Sequence, residues 1–442
     1  MVRQRSRQSD RPEVVVVAGI RTPLGKSSGA FDQLAAVDLG VLAVREVLAR
    51  SPVASSKIDQ VIIGNVIQPI DAVNISRVIA LNAGIPLTVP AHTVHRNCAS
   101  GMQAVTDAAE KIQSGRADVV LAGGVESMTH APLLLHDRFR AAMAKLPRAR
   151  SLQQKLPVLL EIARAPWKPR IALMEGLTDP TVALNMGQTA EILAREFSIS
   201  RQQQDEFSLQ SHQRAAAAWN QGWYDDEVMH VFAQPSFAAI HRDEGVRESQ
   251  TMQALGKLNP VFERPLGTVT AGNSSQITDG AAMLILSSRS KAEAEGWPIM
   301  GYLHDWAYAG CDPARMGLGP VFAVHQLLSK YGLTVSDLVR MEINEAFAVQ
   351  VLACLQAMDS NSFAEQKLGL SKAMGAPDMD KLNVHGGAVA MGHPVGMTGA
   401  RLILTLLGQL EKDTGGGLAV ASLCIGGGQG GAVLLGSESW KS

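Results

Sequence analysis

The sequence predicts an α/β protein of two similar halves, each a mixed or largely parallel sheet covered by helices, with a long insertion between them. Three observations carry this reading. Strand-length apolar runs alternate with helix-length periodic stretches, three signals from the first part of the chain return in the same order in the last part, and the texture changes between them. The expected division is 1–127 with 278–298 for the first half, 128–277 for the insertion and 299–442 for the second half.

Taken in order, Val14 to Val17 is an apolar run reaching Gly19, a buried strand, and Ala35 to Leu48 has helical periodicity. Ile58 to Asn65 reads as a helix exit into a short strand ending in Gly-Asn, and Ser336 to Asn344 is its echo. The strand, turn and helix across Thr93 to Val105 return in Asn383 to Leu404. Asp118 to Gly124, a core strand running into glycines, returns in Leu418 to Gly428. Between the halves, Met128 to about Ile277 holds prolines, basic residues and helices. One helix covers Met186 to Phe197, and a longer one opens at Ser200 with Gln203 in capping-box position. This segment reads as a lid or loop domain.

Composition narrows the class. Hydrophobic residues make up 46% but aromatics only 5%, so the core must rest on aliphatic side chains, with 41 glycines for tight turns. A net charge of -1 gives no global reason to expect nucleic acid as a partner. The four cysteines, Cys98, Cys311, Cys354 and Cys424, form no C-x-x-C pair, which argues against a disulfide framework and a metal site and for a reducing, cytoplasmic setting. The charged start, MVRQRSRQSDRP, lacks the apolar stretch of a secretory signal and carries Asp10, which also argues against an organelle-targeting peptide. No apolar run of about 18 residues is present to span a bilayer.

Five motifs carry chemistry. In His95-Arg96-Asn97-Cys98-Ala99-Ser100-Gly101, a strand ends at Val94 and small residues open a helix, so Cys98 lies near a helix N-terminus, where the macrodipole favours a thiolate nucleophile. A buried structural cysteine is the competing reading. In the segment Gly386 to Arg401, His393 stands between Gly392 and Pro394 on a glycine-rich turn, where its ring can take a thiol proton. Cys424-Ile425-Gly426-Gly427-Gly428 lies between two apolar runs. Its glycines suit a nest of N–H groups for an oxyanion, a phosphate loop without its Lys-Ser/Thr ending, or a plain hairpin. Asn344-Glu345-Ala346-Phe347 follows a strand at the edge where α/β folds hold ligands. Gly267 to Gln276 is a polar loop suited to an amide-bearing ligand.

Together, Asn97-Cys98-Ala99-Ser100-Gly101, Asn344-Glu345-Ala346-Phe347, Gly392-His393-Pro394 and Cys424-Ile425-Gly426-Gly427-Gly428 resemble the thiolase family, from Val14 to about Gly436. The resemblance implies a duplicated fold layered α-β-α-β-α and a 3-ketoacyl-CoA thiolase (acetyl-CoA acyltransferase) of fatty acid β-oxidation. It implies coenzyme A or acetyl-CoA as substrate, with no permanently bound cofactor. In the family, the cysteine matching Cys98 is acylated, the histidine matching His393 activates it, and the cysteine matching Cys424 moves the α-carbon proton. One oxyanion is held by the N–H groups of Cys98 and Gly426, the other by His393 and, through a water, Asn344. Ser275, Phe347, Met186 and Ala346 fall at coenzyme A positions, and Arg247 near its nucleotide end. Asn185 stands where many members have a histidine, and His385 where many have asparagine.

Ala357 to Gly369 and the long lid resemble the β-subunit of multienzyme fatty-acid-oxidation complexes, whereas Asn344 matches short-chain acetoacetyl-CoA thiolases. A decarboxylating ketosynthase would place a second His at Asn344, and a non-catalytic coenzyme-A-binding module would have lost Cys98 or His393. A homo-oligomer, a dimer or dimer of dimers, is implied. Within 138–170, nine basic residues, Arg138, Arg140, Lys145, Arg148, Arg150, Lys155, Arg164, Lys168 and Arg170, face Glu161 alone, a net +8. Leu152, Leu156, Leu159, Leu160 and Ala163 follow helical spacing there, with a kink expected at Pro157. This basic amphipathic element fits a solvated lid face, attraction of coenzyme A phosphates, an α-subunit (hydratase/dehydrogenase), or peripheral contact with an anionic membrane.

Overall fold

The computed structural model describes residues 11–166, 169–235 and 237–438, so Lys168 and the charged start through Asp10 lie outside the described residues. Ten strands form one sheet. They are β1 (Val14–Arg21), β2 (Gly25–Lys26), β3 (Gln60–Gly64), β4 (Ala91–Val94), β5 (Val119–Ser127), β6 (Thr278–Ser288), β7 (Gly301–Gly310), β8 (Leu338–Ile343), β9 (Leu418–Ile425) and β10 (Gln429–Gly436). The order is β8-β9-β10-β7-β1-β6-β5-β3-β4, with β2 beside β6. β3 is parallel to β4 and β5, and β8 is parallel to β9; the remaining pairings are antiparallel.

The duplication is plain in this order. β1-β6-β5-β3-β4 in the first half is matched by β7-β10-β9-β8 in the second, where Leu382 bridges Met341 of β8 in the place of β4. The expectation of two separate sheets is corrected: β1 and β7 pair at Val14–Leu303, Val15–Tyr302 and Val16–Gly301, which joins the halves. Each of these strands would otherwise be an open edge with unpaired N–H and C=O groups, and pairing them removes both edges at once.

Alternation along the strands builds the layers. Val119 and Leu121 of β5 face outward onto α1 (Ala36–Arg50) and α2 (Ile75–Asn82), in a core with Leu39, Val44 and Ile79. Val120 and Ala122 face inward onto α3 (Ser100–Gln113), in a core that also holds Leu402, Leu406, Ala421 and Leu423 of the second half. On the far side, Val420 and Leu434 pack on outer helices over Gly319–Ser329 and Ala348–Met358. The layering is therefore helix, sheet, helix, sheet, helix. The central layer is α3 with the helix Thr398–Lys412, and they touch through glycines: a Cβ on Gly101 would lie 2.9 Å from Gly396 O, and one on Gly399 2.5 Å from Met102 N. That close approach brings the start of α3 to the loop before Thr398.

Within the insertion, α4 (Asp137–Lys145) and α5 (Leu152–Arg164) form an exposed hairpin, and α5 runs on through Pro157. Two later helices belong to the body instead. α6 (Met186–Glu196) and α7 (Arg201–Asn220) start at capping boxes on Asn185 and Ser200. Ala190, Leu193 and Phe207 join the outer core of the second half, and Ala215 and Trp219 the central core. For the second half we number α8 (Gly319–Ser329), α9 (Ala348–Met358) and α10 (Thr398–Lys412). Among the described residues no helix is long and apolar enough to cross a membrane.

Candidate active site

Cys98 lies in the turn from β4 into α3. Asn97 sits at φ 44, a left-handed conformation that asparagine tolerates well. The Ser100 hydroxyl closes the turn, accepting from Arg96 N at 2.9 Å and donating to Asn97 O at 2.7 Å. Asn97 Nδ2 then reaches across to Gly426 O at 2.7 Å, so the nucleophile turn and the β9–β10 turn are tied together. The backbone N–H groups of Gly426 and of Cys98 itself favour the charged form of the Cys98 thiol. Burial pushes the thiol upward all the same; the two N–H groups pull against it and the charge of Glu126 adds to it. The expectation of a thiolate favoured by the helix end is corrected here. Burial raises the thiol, so Cys98 rests protonated and needs a base.

Cys424, at the end of β9, is buried, and its thiol is pushed well above the ordinary range by burial and then by the neighbouring Cys98, Cys354 and Cys311. Such a thiol holds its proton until something basic forms beside it. After Cys424, Gly427 and Gly428 turn the chain at φ 88 and 77, and Gly428 O accepts from Cys311 N at 2.7 Å. Positive φ at both positions is what the glycine run supplies.

His393 follows Gly392 and is buried, with Nδ1 at 2.7 Å from Thr398 Oγ1 and Nε2 at 3.4 Å from Asn344 Nδ2. Burial, then the positive charge of Arg401, lower its pKa to about 3, so the resting ring is neutral, with one nitrogen able to accept a proton. Asn344 follows β8. Its N–H donates to Ser422 O at 2.9 Å, which locks it beside β9, while its buried Oδ1 has no partner among the described residues.

The expected coenzyme A positions adjoin this centre. Ser275 N donates to Ala346 O and Ala348 N to Asn273 O, both at 2.9 Å, so the 267–276 loop runs along Ala346 and Phe347. Phe347 meets Phe262 edge to face, with centroids 6.0 Å apart. Met186 Sδ lies 3.4 Å from the place a Cβ on Gly426 would take. Arg247 is exposed; its N–H donates to buried His212 Nδ1 at 3.1 Å. Gln276 Nε2 donates to Gly245 O at 3.0 Å and Ala390 O at 3.1 Å, clipping the Arg247 loop to the residues before His393.

Two departures noted in the sequence prove to be structural ties. Asn185 caps α6 through Gln188 N, and His385 packs on Trp223 with centroids 4.0 Å apart and pairs with Asp413 at 2.7 Å, away from the buried centre. Asn383 does the inner work: its side chain bonds Ile343 N, Ile343 O and Glu345 Oε1, each at 2.9 Å. Sequence reading passed over Asn383, Thr398, Arg401 and Glu126. For Glu126 a signal existed: it is the one charged residue in Val119–Ser127, and it is wholly buried.

Comparison with known proteins follows this geometry. The chain matches the family described as thiolase, N-terminal domain, over residues 14–290 and that described as thiolase, C-terminal domain, over residues 297–437. A 3-ketoacyl-CoA thiolase of Yersinia pestis (strain Pestoides F) is 42% identical over 431 residues, which covers 97% of this chain and 98% of the relative. The crystal structure of human mitochondrial 3-ketoacyl-CoA thiolase matches with a TM-score of 0.84 at 36% identity, covering 97% of this chain and 99% of that one. The same human enzyme in complex with CoA gives 0.83 at 36% identity, covering 97% and 98%. A Bacillus anthracis acetyl-CoA acetyltransferase gives 0.83 at 36% identity, covering 97% and 99%.

Proposed function

The chain belongs to the thiolase family and is an acyltransferase of the 3-ketoacyl-CoA thiolase type that uses coenzyme A as substrate; from this premise we propose that Cys98 carries the acyl group and Cys424 the proton of the acetyl α-carbon. His393 Nε2 takes the Cys98 proton, and the thiolate attacks the C3 carbonyl of a 3-ketoacyl-CoA. The C2–C3 bond breaks, and Cys424 gives its proton to C2 of the departing acetyl-CoA enolate. Free coenzyme A, losing its thiol proton to a base in the site, then attacks acyl-Cys98, releasing the shortened acyl-CoA and restoring the thiol.

Charge develops on two oxygens. The N–H groups of Cys98 and Gly426 serve the acyl oxygen, and His393 with Asn344 the thioester oxygen. Each such donor typically contributes about 3 to 4 kcal/mol in a transition state. The orphaned Asn344 Oδ1 supports a bound water that passes its influence on. The observation that carries the reading is the 2.7 Å tie from Asn97 Nδ2 to Gly426 O, which sets the Cys98 turn against the turn that follows Cys424.

Ser275, Ala346, Phe347 and Met186 hold the pantetheine arm in this proposal, and Arg247 the nucleotide end. The physiological direction is thiolysis in fatty acid β-oxidation, in the cytoplasm, a setting that suits four free thiols. We retain the division into halves 1–127 with 278–298 and 299–442 around an insertion, 128–277. The half-exposed edge strand β4 supports a homo-oligomer, a dimer or dimer of dimers, and the α4–α5 hairpin supports contact with an α-subunit or a membrane surface. A thiolysis series over 3-ketoacyl-CoA chain lengths tests the substrate assignment. Turnover of long chains supports the degradative role. Activity confined to acetoacetyl-CoA would favour the acetyltransferase reading instead.

A further inference from the structure

Glu126 stands at the end of β5 with no exposed surface, and four N–H groups converge on its carboxylate. Oε1 accepts from Asn65 Nδ2 at 3.0 Å and Ile67 N at 3.0 Å; Oε2 accepts from Val66 N at 3.0 Å and Gly396 N at 2.9 Å. Three of these donors lie in the loop after β3, in the half that carries Cys98. The fourth lies three residues after His393, in the other half. None is a cation. The fit is tight, since a Cβ on Gly396 would lie 2.6 Å from Oε2, and one on Gly124 2.2 Å from Gly396 O.

Four donors match the four in-plane lone-pair positions of an ionised carboxylate. An amide of the same size has acceptor capacity on one atom only and would turn an NH2 group toward two N–H donors. The requirement here is thus for the charge state, not merely for volume, and burial, which raises the carboxyl to about 7, confines that state to higher pH. The same charge faces the Cys98 thiol, which is also faced by Cys424 from β9, and Asp279 lies beyond Glu126 on β6.

We propose that Glu126 is a positioning residue: its carboxylate fastens the His393 loop of the second half onto the Cys98 half and so sets the register between base and nucleophile. This rests on the reading of Cys98 and His393 above. A displacement of about 1 Å in such a register costs on the order of 100-fold in rate. Glutamine loses two acceptors and the charge; aspartate keeps the charge but falls one methylene short of Gly396.

The test compares Glu126→Gln and Glu126→Asp with the parent enzyme for kcat, KM for coenzyme A, thermal midpoint, and the pH dependence of Cys98 alkylation by iodoacetamide read by peptide mass spectrometry. Both variants are expected to lose roughly 100-fold in kcat with KM within about twofold. Only glutamine should move the alkylation midpoint to lower pH, because it removes an anion beside the thiol. Parent-like kcat in either folded variant, or a loss in proportion to the folded fraction alone, overturns the proposal. The alkylation profile needs no turnover, so failure of the Cys98 reading shows separately, as retained thiolysis after Cys98 is fully alkylated.

Discussion

Thr398 Oγ1 lies 2.7 Å from His393 Nδ1 and donates its own proton to Pro394 O at 3.0 Å. A hydroxyl with its proton so engaged can only accept from the ring, so Nδ1 carries the hydrogen and Nε2 accepts a long bond from Asn344 Nδ2 at 3.4 Å. The tautomer needed by a base is fixed by one residue on the first turn of α10. We predict that Thr398→Val, nearly isosteric, lowers kcat by roughly tenfold or more, the equivalent of one hydrogen bond of about 1.5 kcal/mol. Thr398→Ser should restore most of it. Equal rates for the valine and serine variants would show that the tautomer is held elsewhere.

The two thiols should separate under mutation. Cys98→Ala is expected to abolish thiolysis and condensation together, and mass spectrometry of the native enzyme incubated with acetyl-CoA should find a labile acetyl group on Cys98. Cys424→Ala should still form that adduct in a burst while losing carbon-carbon chemistry, because only the α-carbon proton carrier is gone. Near-native thiolysis by Cys424→Ala would return that cysteine to a packing role.

What could be read from the chain was what is local. Cys98, His393 and the Gly426–Gly428 turn announce themselves because a nucleophile beside a helix start, a histidine between glycine and proline, and φ above zero all leave marks within a few residues. The duplication was legible for the same reason, as strand-to-asparagine signals at β3 and β8 and strand-to-glycine signals at β5 and β9. The β1–β7 join was not, because edge pairing is decided by where two distant strands end up. Glu126 and Arg401 looked like ordinary charges. Their burial, and the raised Cys98 thiol that burial produces, exist only once both halves close over them.

Acid should unfold the protein in a specific window. His393 is lowered to about 3, and His212 and His304 to about 4, all by burial first, from an ordinary 6.5. Between pH 6.5 and about 4 the unfolded chain therefore binds more protons at these sites, and stability falls as pH falls. Glu126 and Glu342 act oppositely, raised by burial from 4.5 to about 7, so over pH 4.5 to 7 the folded state binds more protons and acidification stabilises. From pH 6.5 to 4.5 the three histidines outweigh the two glutamates, and from 4.5 to about 4 the histidines act without that opposition. The thermal midpoint should fall gently across that upper range and more steeply from pH 4.5 to about 4. His212→Gln should make the drop shallower by up to about 1.4 kcal/mol per pH unit. An unchanged slope in that variant would remove His212 from the account.

The last prediction concerns the α4–α5 hairpin, where the helical period of the leucines is present but points outward. Val158 of α5 is buried, as are Phe139 and Ala142 of α4, whereas Leu152 is 88% and Leu156 62% exposed, with Leu159, Leu160 and Met143 about half exposed. Among the basic residues, Lys145 pairs with Glu161 and Arg170 with Glu175, whereas Arg148, Arg150 and Lys155 have no ion-pair partner among the described residues. Exposed leucines flanked by free cations suit an anionic lipid surface: the apolar chains enter the headgroup boundary while each cation near the surface adds about 1 kcal/mol. Reversing Arg148, Arg150 and Lys155 to glutamate should then weaken binding to phosphatidylserine vesicles by about 100-fold or more at low salt, with the coenzyme A KM changed less than about twofold. Leu156→Ser with Leu160→Ser should weaken it without altering the salt dependence. If the charge reversal instead raises the KM and leaves vesicle binding alone, the patch serves substrate capture. If neither changes but association with a hydratase/dehydrogenase α-subunit is lost, the hairpin docks a protein.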